Sequence, residues 1–254
     1  MIQRLDVLKD FTIRATDGAI GGVADVYFDD SSWTVRYLVV DTGSWLPGRK
    51  VLLAASVLGA PVGASREFPV ALTRRQVKES PDIDTDKPVS RQHEADLHGY
   101  YGWPPYWGAA AMAPGVAAPA AAVVPPFDIP AARDAPADRR ESGDPHLRSG
   151  REVTGYHIQA RDGAIGHVED LLIDEAGWRI RYLLVDTRNW LPGRKVVVAT
   201  DCAATVDWAQ RAVSVELTRE QVKGSPEYDD VAGIDRSYEE ALYAHYARRP
   251  YWSL

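Results

Sequence analysis

Short apolar runs separated by turn residues fill the first two-thirds of each half of the chain. In Thr34–Asp41, valine, tyrosine and leucine occupy both alternating sets of positions, so both faces of this segment are apolar. Alternation with a period of two, rich in β-branched and aromatic residues, is typical of β-strands. The pattern predicts strands at Ile13–Thr16, Val23–Asp29, Trp33–Asp41, Arg49–Ala54, Glu67–Leu72, Val168–Asp174, Trp178–Asp186 and Arg194–Ala199. One face can fill a barrel or sandwich interior, and the other face must be covered.

Helix signals follow the predicted strands in each half. Thr73 to Gln76 and Thr218 to Gln221 have the spacing of a capping box, which predicts a short helix ending before Pro81 and another ending before Pro226. A second, amphipathic helix comes next in each half. Its predicted stripes are His93, Leu97 and Tyr101 in one half and Tyr238, Leu242 and Tyr246 in the other. Each of these helices runs into a tail that contains Pro-Tyr-Trp.

The two halves are copies of one another at a constant offset of 145 residues. Asp-Gly-Ala-Ile-Gly at 17–21 returns at 162–166, and Trp-Leu-Pro-Gly-Arg-Lys at 45–50 returns at 190–195. We therefore predict one repeat at residues 1–107, an Ala/Pro-rich linker at 108–146 and a second repeat at 147–254. Such a linker is semi-extended, so the repeats are free to touch or to stay apart.

Net charge, cysteine content and the length of apolar runs limit which partners and which cellular compartment we expect. The net charge of −7 argues against nonspecific binding to nucleic acid or anionic lipid. The single cysteine, Cys202, cannot form an intrachain disulfide and fits a reducing compartment. No run of residues is apolar enough for a signal segment or a transmembrane helix, so we expect a cytoplasmic protein.

Catalytic and metal chemistry has little support in the residues that both repeats keep. No histidine and no cysteine occupies equivalent positions in both, although histidine is the commonest general base and metal ligand. Asp25, Asp29 and Asp41 recur and could meet as an acid/base or cation site, but turn and strand-end roles explain them as well. We predict no catalytic residues, no cofactor, no metal site and no enzymatic activity.

Two surfaces are candidates for partner binding. The first is the aromatic-basic hairpin, by which we mean the Trp-Leu-Pro-Gly-Arg-Lys turn at 45–50 and its copy at 190–195. It is a candidate because tryptophan and arginine are enriched at interface hot spots. The alternative is that Trp45 folds over the barrel mouth while Arg49 pairs with Asp41. The second is the aromatic tail, which either covers the outer apolar strand face or offers a ligand to a partner or membrane interface. The candidate residues are Trp45, Leu46, Arg49, Lys50, Trp190, Leu191, Arg194, Lys195, Tyr106, Trp107, Tyr251 and Trp252.

The order of predicted elements around Arg36–Gly43 and Arg181–Thr187 resembles the PRC-barrel family, named for a domain of the photosynthetic reaction-centre H subunit. The resemblance covers about 7–79 and 152–224. It implies a mainly β fold with two small barrels of about five or six strands each. The amphipathic helix and aromatic tail that we predict after each barrel lie outside the resemblance. It also implies bacterial or archaeal relatives that bind other macromolecules.

The expected function is a tandem adaptor that binds an unidentified protein, with the repeats forming an intramolecular pseudo-dimer or the chain a homodimer. One alternative is a membrane-associated accessory protein of an electron-transfer complex, and another is association with ribosomes or RNA. Peripheral membrane contact stays open, whereas nucleic acid is not expected.

Overall fold

A computed structural model describes residues 1–61, 65–81, 89, 91–107, 146–187, 194–230 and 233–253. Of the predicted linker at 108–146, all but His146 lies outside the described residues. The tip of the second aromatic-basic hairpin, residues 188–193, also lies outside them.

The first repeat folds as six strands, with one short helix after the first strand and two helices after the last. Its strands are β1 Ile2–Arg4, β2 Thr12–Ala15, β3 Gly18–Asp29, β4 Thr34–Asp41, β5 Lys50–Ala54 and β6 Glu67–Pro69. Its helices are α1 Leu5–Leu8, α2 Arg74–Lys78 and α3 Arg91–Tyr101, and a single 3-10 turn covers Ala55–Val57. Strand β3 begins five residues earlier than the pattern predicts, because the Gly-Ala-Ile-Gly segment is extended rather than a loop.

The second repeat has the same order with one addition. Its strands are β7 Leu147–Ser149, β8 His157–Ala160, β9 Gly163–Asp174, β10 Arg179–Asp186, β11 Lys195–Ala199, β12 Ala203–Asp207 and β13 Ala212–Val215. Its helices are α4 Gly150–Val153, α5 Arg219–Lys223 and α6 Arg236–His245, with a 3-10 turn at Thr200–Cys202. Strand β12 is absent from the strands that the sequence predicts, and it forms an antiparallel hairpin with β13.

Local chemistry explains the boundaries that the sequence predicted. Thr73 and Gln76 exchange side-chain and backbone hydrogen bonds, so the capping box that starts α2 is confirmed. Gly18 opens β3 with φ 144°, a conformation that favours glycine. Gly21 has a different reason to be glycine: a Cβ there would lie 2.0 Å from the carbonyl oxygen of Asp41. Gly18 is therefore required by the conformation of the hairpin turn, and Gly21 by the close approach of two backbone segments.

The two repeats exchange their first strands. Strand β1 of the first repeat pairs with β9 of the second, with Ile2 opposite Asp174. Strand β7 of the second repeat pairs with β3 of the first, with Leu147 opposite Asp29. These two registers are equivalent under the sequence offset, so the exchange is reciprocal.

Strands β4 and β10, which are equivalent strands of the two repeats, pair with each other at the boundary between the halves. Thr34 pairs with Arg179, two residues at equivalent positions. On either side, Val35 N donates to Trp178 O at 2.7 Å and Ile180 N donates to Trp33 O at 2.8 Å. The backbone here has an approximate two-fold axis.

The strand pairing joins the two repeats, and it does not confirm the expected two barrels. All thirteen strands in the described ranges belong to one hydrogen-bonded sheet, with the path β12-β13-β8-β9-β10-β4-β3-β2-β6 and the remaining strands beside β3, β4, β9 and β10. No closed barrel is found in the described part of the chain. The physical reason is that the exchanged strands and the β4–β10 contact join the halves edge to edge. The expectation of a mainly β fold with short helices is confirmed.

The core is also shared between the halves. One cluster of buried apolar side chains runs from Leu5 in the first repeat to Tyr246 in the second. A smaller cluster covers the outer face of the first repeat and includes Tyr37, Val39 and Leu97. None of the described helices has the length and apolar character needed to cross a membrane.

Candidate binding site

A buried glutamate holds the aromatic tail against the sheet in the second repeat. Glu239, on α6, is 4% exposed and accepts hydrogen bonds from the hydroxyls of Tyr182 at 2.6 Å and Tyr251 at 3.0 Å. The guanidinium of Arg181 lies 3.7 Å from the centre of the Tyr251 ring. Burial raises the pKa of Tyr182, so this hydroxyl keeps its proton and donates it. Strand, helix and tail thus meet at one carboxylate.

The first repeat contains the equivalent arrangement. Glu94 is fully buried and accepts hydrogen bonds from Tyr37 at 2.9 Å and Tyr106 at 2.6 Å, while Arg36 lies 4.1 Å from the centre of the Tyr106 ring. His98 takes the place of Tyr243 and lies 2.8 Å from the Tyr37 hydroxyl through Nε2. The predicted helical stripe left out this glutamate. Its recurrence at the same position in both repeats is the signal that could have found it.

The aromatic tails therefore lie on the outer sheet face of their own repeat, the first of the two arrangements considered from sequence. Trp107 packs edge-on against His98 with ring centres 4.8 Å apart. Trp252 lies under the guanidinium of Arg236, at 4.0 Å. Tyr106, Trp107, Tyr251 and Trp252 are all half-buried. Partner binding by these four residues stays a prediction.

In the first aromatic-basic hairpin, Arg49 connects the hairpin to helix α2 of the same repeat. Arg49 donates through Nη1 to the carbonyl oxygen of Lys78 and through Nη2 to that of Ser80 at 2.5 Å. This guanidinium therefore caps the C-terminal end of α2, a contact that differs from the pairing with Asp41 considered as an alternative from sequence. Trp45 is half-buried beside the guanidinium of Arg74, at 4.5 Å.

The second hairpin repeats the arginine contact. Arg194 donates to the carbonyl oxygens of Lys223, at 2.7 Å, and Ser225. Lys195 forms ion pairs with Glu169 at 2.7 Å and Asp230 at 2.9 Å. Trp190 and Leu191 lie outside the described residues. Leu46 and Lys50, in the first hairpin, are half-buried. Partner binding by the hairpins also stays a prediction.

The recurrent aspartates do not converge on one site. Asp29 accepts from the backbone and hydroxyl of Ser31, and Asp41 accepts from Gly43 N, both within turns. Asp25 is buried and accepts from Ser149 Oγ at 2.5 Å and Arg151 N at 3.0 Å, so it secures the exchanged segment. Among the described residues, no group of three acidic, histidine or cysteine side chains is placed to hold a metal ion.

An open cleft lies between the two repeats on one side of the molecule. Its volume is about 640 Å³, within the range of ligand-binding clefts. The second repeat contributes the turn between β9 and β10 from Glu175 to Trp178. The first repeat contributes 34–37, 54–56, 58–61, Met1, His98, Pro104 and Tyr106. Sequence reasoning missed this site, because its two walls come from segments more than a hundred residues apart.

A comparison with known protein families matches residues 146–222 to the PRC-barrel domain. The matched segment starts beside the exchanged strand β7 and ends within α5. It supports the PRC-barrel family for the second repeat. No curated protein matches the chain.

Proposed function

We propose that this protein is a non-enzymatic adaptor in which two PRC-barrel-type repeats bind another protein. The family match in the second repeat supports a binding module. The first repeat has the same burial pattern, position by position, along β3 as the second has along β9. We therefore extend the family assignment to both repeats and treat each as a barrel-type unit within the shared sheet.

The observation that carries the proposal is the open cleft between the repeats. Exposed Ser56 and Ala60 on one wall and Ala176 on the other leave it accessible. Protein partners bind best where an apolar centre is surrounded by a polar rim. The cleft offers buried Val35 and half-buried Trp178 beside Arg36 and Glu175.

Binding rather than catalysis is supported by what the repeats keep in common. Their shared buried polar groups, Asp25/Asp170 and Glu94/Glu239, hold strands, helices and tails together within the protein. A cytoplasmic setting is part of the proposal, since a lone cysteine suits a reducing compartment.

Photo-crosslinking in cells tests the adaptor function. A photoreactive amino acid at Ser56, on the cleft wall, is expected to capture a specific protein that the same probe at exposed Glu220 on α5 does not capture. Equal recovery from both positions, or from neither, would contradict a binding role for the cleft. A third outcome would place the binding surface on the hairpins instead. In it, the probe at Ser56 captures nothing, while a partner pulled down by the unmodified protein is lost in a Trp45→Ala/Trp190→Ala double variant.

A further inference from the structure

The approximate two-fold symmetry breaks at one pair of equivalent acidic residues. Asp30 in the first repeat and Glu175 in the second both follow the last residue of their long strand, β3 or β9. Both backbone N–H groups bond to the exchanged segment, Asp30 N to His146 O at 2.9 Å and Glu175 N to Met1 O at 3.1 Å. The backbone is therefore equivalent at the two sites, and only the side-chain surroundings differ.

Asp30 has three side-chain partners. His146 Nδ1 lies 2.9 Å from Oδ1, and Arg148 Nε lies 3.3 Å from Oδ2. The third partner is an indole: Trp208 Nε1 donates to Oδ2 at 3.0 Å. Trp208 sits in the connection between β12 and β13, and its ring is covered by the Arg148 guanidinium at 4.2 Å. One half of the molecule thus has a tryptophan seated against the acidic residue.

Glu175 has none of these partners. The residues equivalent to His146, Arg148 and Trp208 are Met1, Gln3 and Gly63, and the Gln3 amide donates to the sulfur of Met1 instead. Among the described residues, the Oε1 atom of Glu175 is buried and accepts no hydrogen bond. Burial also raises the pKa of this carboxyl. A buried oxygen without a donor is costly, and a ligand that supplies an N–H gains from satisfying it.

Glu175 lines the open cleft, and the neighbouring walls suit an aromatic ring. Val35, Trp178, Leu58 and Pro61 provide apolar surface on both sides. An indole combines a large apolar face with a single N–H donor and no acceptor, so it pairs well with a carboxylate oxygen. The first repeat has glycine where the second carries its indole, so its own sequence does not supply one there.

We propose that the cleft binds a tryptophan side chain of a partner protein, with the indole N–H donating to Glu175 as Trp208 donates to Asp30. This inference rests on the proposed adaptor function and specifies the partner's chemistry. A tryptophan in a protein segment fits the enrichment of this residue at interface hot spots.

The test uses the full chain and a blocked pentapeptide with the sequence of residues 206–210, Val-Asp-Trp-Ala-Gln. Matched peptides replace the tryptophan with 1-methyltryptophan, which lacks only the N–H, with phenylalanine or with arginine. Calorimetry is expected to give one site, with affinity about tenfold weaker for 1-methyltryptophan and weaker still for phenylalanine. The Glu175→Gln variant is expected to lose about tenfold for the tryptophan peptide, and the exposed Glu220→Gln control to lose nothing.

Equal affinity of the methylated peptide, no effect of Glu175→Gln, or tighter binding of the arginine peptide would each overturn the inference. A Trp208→Ala variant gives a second measurement, because vacating the equivalent place beside Asp30 should raise the number of peptides bound from one toward two. Failure of this inference differs from failure of the adaptor function. Partner capture at Ser56 without peptide binding removes only the tryptophan assignment, whereas peptide binding without a captured partner removes the adaptor and leaves the site.

Discussion

Buried carboxylates each join several elements of the fold. Glu239 joins strand β10, helix α6 and the tail through Tyr182 and Tyr251. Asp25 ties β3 to the segment that enters from the other repeat. Buried acids are tolerated only when donors surround them, so each of these residues fixes several donors at once.

Replacement of Glu239 tests the tail contact. Glu239→Leu leaves the buried Tyr182 hydroxyl without its acceptor, and we expect a loss of about 2–4 kcal/mol in the free energy of unfolding. Glu239→Gln keeps one acceptor oxygen and should lose about 1 kcal/mol. Urea unfolding measures both, with exposed Glu240→Gln as the control expected to change little. If Glu239→Leu is as stable as that control, the carboxylate does not hold the tail.

The pH dependence of stability tests Asp25. Burial raises the pKa of this carboxyl above its ordinary value of 3.8. As pH rises from that value to the native pKa, the unfolded chain loses the proton first, so the free energy of unfolding falls over this interval and then levels off. Asp25→Asn does not titrate and should lack this fall. Urea unfolding of both proteins between about pH 3.5 and 7 makes the comparison, and parallel curves would contradict it.

At the scale of elements, helices α1 and α4 meet through a large and a small residue at equivalent positions. A Cβ added to Gly150 would lie 2.9 Å from Leu5 Cδ2 and 2.9 Å from Val26 Cγ2. Leu5 is 1% exposed and fills this space from the first repeat. Two leucines cannot both fit here, so the repeats have become complementary rather than identical.

A double-mutant cycle tests this complementarity. Gly150→Leu should lose about 1–3 kcal/mol by overpacking, and Leu5→Gly about 3–5 kcal/mol by leaving a cavity. The double variant exchanges the two side chains and should recover about 1–3 kcal/mol relative to the sum. Gly99→Leu is the control for added bulk, since nothing lies within 4 Å of a Cβ there. Additive losses in chemical denaturation would show that the two positions do not share one space.

At the scale of the whole molecule, the exchanged strands make each repeat depend on the other. Strand β3 receives β7, strand β9 receives β1, and the apolar core is continuous across both halves. A separated repeat would expose the strand edge and part of the core that its partner covers, a hazard for aggregation.

Cleavage between the repeats tests this dependence. A protease site placed within residues 108–145 separates the chain into two fragments without touching a described element. The fragments should stay together as a one-to-one complex on size-exclusion chromatography under native conditions. They should unfold in a single transition whose midpoint rises with concentration. Two folded fragments that elute separately would show that the strand exchange is dispensable.

Prediction from sequence succeeded where the signal is local. The capping boxes before Arg74 and Arg219 depend on residues three apart, and the structure has both. It did not predict strand β12, because Ala203–Asp207 gains its pairing from β13 rather than from its own propensity. The cleft was missed for the same reason: Glu175 and Pro61 become neighbours only when the halves join.

The sequence alone determined that the chain is a repeated, mainly β module, because alternation, turn glycines and capping boxes act within a few residues. Tertiary structure alone decided which strand pairs with which repeat. Both repeats offer equivalent edges at β3 and β9, and strand alternation does not distinguish them. The contacts that hold the exchanged strands, such as Asp25 with Ser149 and Arg4 with Asp170, join residues far apart in the chain. The exchange in turn places Glu175 at the open cleft and Asp30 beneath Trp208. Two repeats of one pattern thereby acquire different sites: Trp208 fills the one beside Asp30, and no indole of the described residues donates to Glu175.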